Sequence, residues 1–149
     1  MYKNSKLYPD QDAELSTVQE AAAVYNSPFD RIRISRKGLS PVFVQDLMQS
    51  YRLNKQEVAR LADVSAKTLE RHFDSGRPFQ GLQSDRLLEL ADLYLEGLGI
   101  FGSQDKFLTW LETPTIALGH VAPKDWLDTH EGIVMISDEI KRIQHGIFA

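Results

Sequence analysis

Residues 56–72 read QEVARLADVSAKTLERH, and the spacing within this stretch decides how the chain is read. A helix-turn-helix needs a small residue where its first helix presses on its second, and Ala59 is that residue. Four positions later the turn needs a residue that tolerates left-handed backbone. Glycine is commoner there, but Asp63 visits that conformation more readily than most side chains. Val64 and Leu69 are the apolar positions that lock the second helix in place. The boundaries carry their own signals. Asn54 and Glu57, three apart, form a capping box for a helix that turns Val58, Leu61 and Ala62 inward. Ser65 caps the second helix, with Leu69 and Phe73 inward, and the run Ser75-Gly76-Arg77-Pro78 stops it.

In such a unit the second helix points its N-terminal residues into a major groove. Ser65, Lys67, Thr68, Arg71 and His72 are the residues expected to face outward, and Lys and Arg are the usual partners of phosphates and guanine edges. An ordinary helical hairpin with a solvated polar face would carry the same residue types. A single reading helix binds weakly, so a homodimer presenting two is expected.

Helical signals continue on both sides. Upstream, Ser40 and Pro41 open a helix over residues 40–51, with Phe43, Val44, Leu47, Met48 and Tyr51 on one face. Before it, Ile32 and Ile34 alternate with Arg31, Arg33 and Ser35, a strand-like pattern. One short strand has no partner in sight, so an extended linker is expected there. A helix is expected over residues 16–25, after a polar opening without period. Downstream, Leu87, Ala91, Tyr94, Leu95 and Leu98 recur at spacings of three and four, predicting a long helix over 84–98. Ser103 caps a helix over 104–112, and a loop with proline at both ends follows. Pro123 starts a short helix through Trp126 and Leu127. Asp128 and Glu131 read as a capping box for a terminal helix whose inward positions are Ile133, Ile136, Ile140 and Ile143, with Gly146 as its stop. Trp110 and Trp126, among leucines, read as core or dimer-interface anchors. The fold class is all-α, with no internal repeat.

Charge divides the chain. The net charge is −4, which argues against coating nucleic acid by bulk electrostatics. Residues 52–86 nevertheless carry seven basic and five acidic groups, whereas residues 87–149 carry four and ten. Such asymmetry suggests two roles on one chain. The absence of cysteine removes disulfides and thiolate chemistry and fits a reducing compartment. With neither a signal peptide nor a membrane span legible, the cytoplasm is the expected location.

The final stretch, residues 101–149, reads FGSQDKFLTWLETPTIALGHVAPKDWLDTHEGIVMISDEIKRIQHGIFA. It resembles the C-terminal domain of the Xre/ParS-type antitoxins, partners of RES-domain toxins. The likeness rests on Phe101-Gly102, Trp110-Leu111, Pro114, Leu118-Gly119, Pro123, Leu127-Asp128-Thr129, Glu131-Gly132, Arg142-Ile143 and His145-Gly146. The sequence departs from the family pattern at His120, usually a second glycine, and at Thr115, commonly asparagine. With the helix-turn-helix upstream, the resemblance covers residues 40–149. It implies three parts: an N-terminal extension over 1–39, a helix-turn-helix domain with its connecting helix over 40–99, and a toxin-binding domain over 100–149.

The resemblance further implies an antitoxin that obstructs the active-site cleft of a NAD-degrading RES toxin with its C-terminal region and binds the operator DNA of its own promoter. An acidic C-terminal half suits a partner with a basic cleft. Ile147 and Phe148 are then expected to anchor in that cleft, with Lys141, Arg142 and His145 supplying polar contacts, Gly146 the turn, and Ala149 a terminal carboxylate. Folding of Ile147 back onto its own helix is the plainer alternative. For the whole chain, the alternative is a homodimeric transcriptional regulator without a toxin partner.

No enzyme is expected. GLGIFG at 97–102 spells a dinucleotide fingerprint, but a helical repeat precedes it where the fingerprint needs a strand. His130-Glu131 opens like a zinc motif, but Val134 stands where its second histidine belongs. Neither a metal nor a cofactor is expected.

Overall fold

Side-chain caps set most of the helix starts, and they do so in the computed structural model at the positions the sequence marks. The structure describes residues 15–24 and 27–146. Within them run α1 (Val18–Val24), α2 (Pro28–Lys37), α3 (Pro41–Tyr51), α4 (Lys55–Leu61), α5 (Ala66–Ser75), α6 (Leu82–Phe101), α7 (Gln104–Glu112) and α8 (His130–Gln144), with 3-10 turns at Ile116–Leu118 and Pro123–Trp126. Among the described residues the only β pairing is two isolated bridges, Leu39 with Phe79 and Thr115 with Val121.

The side chains of Ser40, Asn54, Ser65 and Ser103 each accept the backbone N–H three residues on, satisfying donors that a helix start leaves orphaned. Glu57 completes the capping box by accepting from the Asn54 N–H at 3.1 Å. Two expectations are corrected. Residues 31–35 are helical, within α2. Ser27 caps that helix, Pro28 occupies its first turn and Gly38 ends it. Successive isoleucines two apart fall on opposite sides of a helix, so Ile34 packs on the core while Ile32 is exposed. The cap of α8 is Thr129, whose hydroxyl accepts from the Gly132 N–H at 3.0 Å. Asp128 is occupied elsewhere, its carboxylate facing Arg60 and its carbonyl accepting from Arg86.

The organising element is α6. It is three residues longer at its C-terminal end and two longer at its N-terminal end than the periodicity predicts, and it packs against α1, α2, α3, α7 and α8. Leu87, Leu88, Leu90, Ala91, Leu93 and Tyr94 are all buried, a face wider than one narrow stripe, while Asp85, Glu89, Asp92 and Glu96 share the remaining side. A helix with so wide an apolar face packs on several neighbours at once. Gly97 lets α7 approach: a Cβ there would lie within 2.5 Å of the Phe107 ring. Tyr51 ties α3 to the same helix, its hydroxyl donating to the Leu90 carbonyl at 2.5 Å. Burial holds that phenol's pKa well above the ordinary tyrosine value.

Candidate functional site

Two surfaces carry the residues singled out in the sequence, one on α4–α5 and one at the end of α8. The turn between α4 and α5 is built as the pattern requires. Asp63 has φ +56, and the Val64 N–H returns to the Ala59 carbonyl at 3.0 Å. Val58, Ala59, Leu61, Ala62 and Leu69 are buried beneath the pair. The scaffold is therefore rigid, and what it presents is its polar face.

That face separates cations that are already paired from cations that are not. On α4, Lys55 pairs with Glu70 at 2.7 Å and lies 5.8 Å from the Phe73 ring centroid. Arg60 faces the Asp128 carboxylate at 3.5 Å. On α5, Lys67 and Arg71 are exposed, one helical turn apart, and neither has an ion-pair partner among the described residues. Ser65 spends its hydroxyl on the cap and on Thr68, whose own hydroxyl sits 2.9 Å away. His72 does not face outward, contrary to the sequence expectation. Its ring stacks on Phe79, with centroids 4.1 Å apart, and its Nδ1 donates to the Arg77 carbonyl at 2.8 Å. The reason is position: one residue past Arg71 on a helix turns the side chain by roughly 100°, towards the loop that follows.

At the other surface, Ile133, Ile136 and Ile140 bury α8 against α6, and polar links reinforce the seam. His130 Nδ1 lies 2.9 Å from a Glu89 oxygen, and the Ser137 hydroxyl donates to Glu96 at 2.9 Å. Past Ile140 the packing ends. Lys141, Arg142, His145 and Gly146 are all exposed, while Ile143 is half-buried. Arg142 pairs with Glu139 within its own helix at 2.9 Å, whereas Lys141 has no ion-pair partner among the described residues. Gly146, at φ +67, turns the backbone off the helix in the left-handed conformation expected of a stop. Ile147, Phe148 and Ala149 lie outside the described residues.

A tie that no local sequence signal announces links the two surfaces. Arg86 of α6 donates to the Asp128 carbonyl at 2.5 Å, and Arg60 reaches the Asp128 side chain. Asp128 thus joins the helix-turn-helix to the start of α8. Close packing fixes the preceding loop. The Trp126 indole N–H donates to the Leu118 carbonyl at 3.0 Å, and Gly132 passes so near that a Cβ would meet the Trp126 carbonyl oxygen at 1.7 Å. Trp126 itself is partly exposed, and Trp110 packs on Phe101 and Phe107. No described helix is long and apolar enough to cross a membrane. Residues 97–101, the start of the GLGIFG run, are the end of α6.

A helix-turn-helix joined to further C-terminal helices defines the class: an all-α protein built on a helix-turn-helix with an appended helical part. Residues 30–92 match the family model described as the antitoxin Xre-like helix-turn-helix domain, and residues 99–146 match that of the antitoxin Xre/MbcA/ParS C-terminal toxin-binding domain. Together the two cover most of the chain, which belongs to the Xre-type antitoxins of toxin–antitoxin systems. Similar curated proteins agree. An antitoxin Xre of Photorhabdus laumondii is 29% identical over 116 residues, spanning 76% of this chain and 78% of that protein. The Prs ADP-ribosylating antitoxin of a Sphingobium species is 29% identical over 132 residues, 83% of each. Among solved structures, a chain of the M. tuberculosis MbcT–MbcA toxin–antitoxin complex has the same fold. The TM-score is 0.55 at 24% identity, covering 71% of this chain and 94% of that one.

Proposed function

We propose that this antitoxin neutralises a RES-type, NAD-degrading toxin by placing the end of α8 and the residues after it in the toxin's active-site cleft. The observation that carries the reading is the anchoring of α8. Three isoleucines fix the helix on α6, so Lys141, Arg142, His145 and Gly146 are presented on a rigid support. An anchored helix end loses little entropy on binding, which favours affinity. Ile147 and Phe148 then supply apolar anchors. The MbcT–MbcA pair, one chain of which shares this fold, forms a toxin–antitoxin complex. The acidic balance of residues 87–149 suits a basic cleft.

The helix-turn-helix has a second role, binding as a homodimer to operator DNA of the antitoxin's own promoter and repressing it. Lys67 and Arg71 make the contacts from α5, with Ser65 and Thr68 at its N-terminal end. Bacterial cytoplasm is where both partners are met. The experiment is growth and intracellular NAD on inducing the product of the neighbouring reading frame, with and without this chain. Arrest with NAD loss, reversed by the chain, supports the reading. A harmless neighbour, or one the chain does not restrain, leaves instead a homodimeric regulator without a toxin partner, the reading that the unpaired cations of α5 favour.

A further inference from the structure

The end of α2 and the loop after α5 meet at one place. Leu39 and Phe79 exchange both backbone hydrogen bonds at 2.8 Å. Gly38, at φ +96, allows this closeness: a Cβ there would sit 2.7 Å from the Phe79 carbonyl oxygen. Around the bridge, the Gln80 side-chain amide donates to the Arg36 carbonyl at 3.2 Å, and the Ser84 hydroxyl donates to the Ser35 carbonyl at 3.1 Å. On the α5 side, the Ser75 hydroxyl donates to the Arg71 carbonyl and accepts the Arg77 N–H. His72 stacks on Phe79 and holds the Arg77 carbonyl. The backbone of Arg77 is therefore held from both ends, while its side chain, like that of Arg36, is exposed and has no carboxylate partner among the described residues.

A short loop fixed by this many bonds is a costly way to display a solvated arginine. We propose that Arg36 and Arg77 form a cationic shoulder beside α5 that grips the phosphate backbone of duplex DNA, and that His72 is a positioning residue for Arg77. This rests on the reading of α5 as the DNA-contacting helix. The phosphate backbone is favoured over an acidic protein surface because Arg77 stands in the loop directly after α5, the helix that carries Lys67 and Arg71, and none of these three has a carboxylate partner among the described residues. Phosphate contacts fix the register of a reading helix without reading sequence themselves. The shoulder also gives α2, expected from sequence to be a mere linker, a part in binding.

The test is the salt dependence of affinity. Full-length chain is titrated against two labelled duplexes, one covering the region upstream of its reading frame and one scrambled at equal length. Each phosphate contact contributes about 0.9 to the slope of log affinity against log salt. Arg36→Ala and Arg77→Ala should each lower the slope by about 1, and the double variant by about 2, equally on both duplexes. His72→Phe, which keeps the stacking and loses the hydrogen bond, should lower the slope in the wild-type background and leave it unchanged in Arg77→Ala. A general structural effect would lower both. Unchanged slopes in the arginine variants, with the wild type binding DNA, overturn the shoulder alone. Failure of the wild type to bind either duplex overturns the DNA reading beneath it. Both arginines are exposed, so the variants should melt with the wild type.

Discussion

The α4–α5 turn and the loop from Thr113 to Thr129 are both irregular, yet close packing matters more in the second. In the first, bonds span only a few residues: Asn54 to Glu57, Ser65 to Thr68, Ala59 to Val64. In the second, short-range bonds such as those of Thr115 with Val121 and His120 are joined by close-packed and longer-range contacts: Trp126 to Leu118, Gly132 against the Trp126 carbonyl, Arg86 to Asp128. Local bonds degrade gracefully when one is lost. A close-packed backbone contact has no such tolerance, so substitutions in the two regions should differ in size as well as in kind.

The largest effect is expected at Gly132. A methyl group there collides with backbone rather than with a mobile side chain, so Gly132→Ala should cost about 3 kcal/mol or more of stability. Denaturant unfolding would show it, and a loss under about 1 kcal/mol would mean that the loop is not close-packed. Next in size is Arg71→Ala, expected to weaken operator binding by about 1–3 kcal/mol while leaving toxin neutralisation intact. Unchanged affinity in a binding assay would remove Arg71 from the interface. Asn54→Ala takes away one cap and should cost about 1 kcal/mol. The smallest change is Lys55→Ala, whose exposed pair with Glu70 contributes about 0.5 kcal/mol or less, a shift that added salt should erase.

A pH dependence sharpens the picture of the core that both regions share. The folded pKa of Tyr51 is raised by burial, so its contribution to stability is complete below the ordinary tyrosine value of about 10. It declines as pH climbs from there towards the folded value, because the unfolded phenol ionises first. Tyr51→Phe should therefore flatten the alkaline limb of stability against pH. A limb of undiminished steepness would assign it to other groups, such as Tyr94, whose pKa burial also raises.

The same contrast explains what could be read in advance. Asp63, Asn54, Ser65, Ser103 and Gly146 announce themselves because their chemistry acts on neighbours a few residues away. The reading failed where a local pattern had a distant competitor. Ile32 and Ile34 mimic a strand, but Ser27, Pro28 and Gly38 bound a helix, and the core needed only one isoleucine of the two. Asp128 has the spacing of a cap, yet Arg60 and Arg86, far away in sequence, claim it. His72 looked free until the Leu39–Phe79 bridge brought Phe79 beneath it. Arg36 and Arg77 could not be joined from sequence at all, since the bridge that joins them spans some forty residues. The toxin-binding unit was legible through family landmarks rather than physics, and the exposure of Lys141 and His145 emerges only once Ile133, Ile136 and Ile140 are seen to bury α8.

If neutralisation resides in the end of α8 and the residues after it, apart from the helix-turn-helix, the two functions should separate on truncation. The decisive experiment is growth of cells inducing the neighbouring reading frame's product beside either the full chain or one truncated after His145. Protection is expected from the full chain and none from the truncated one, whose melting temperature and duplex binding should match the wild type. Full protection by the truncated chain would contradict the proposal and place the neutralising surface elsewhere on residues 99–146.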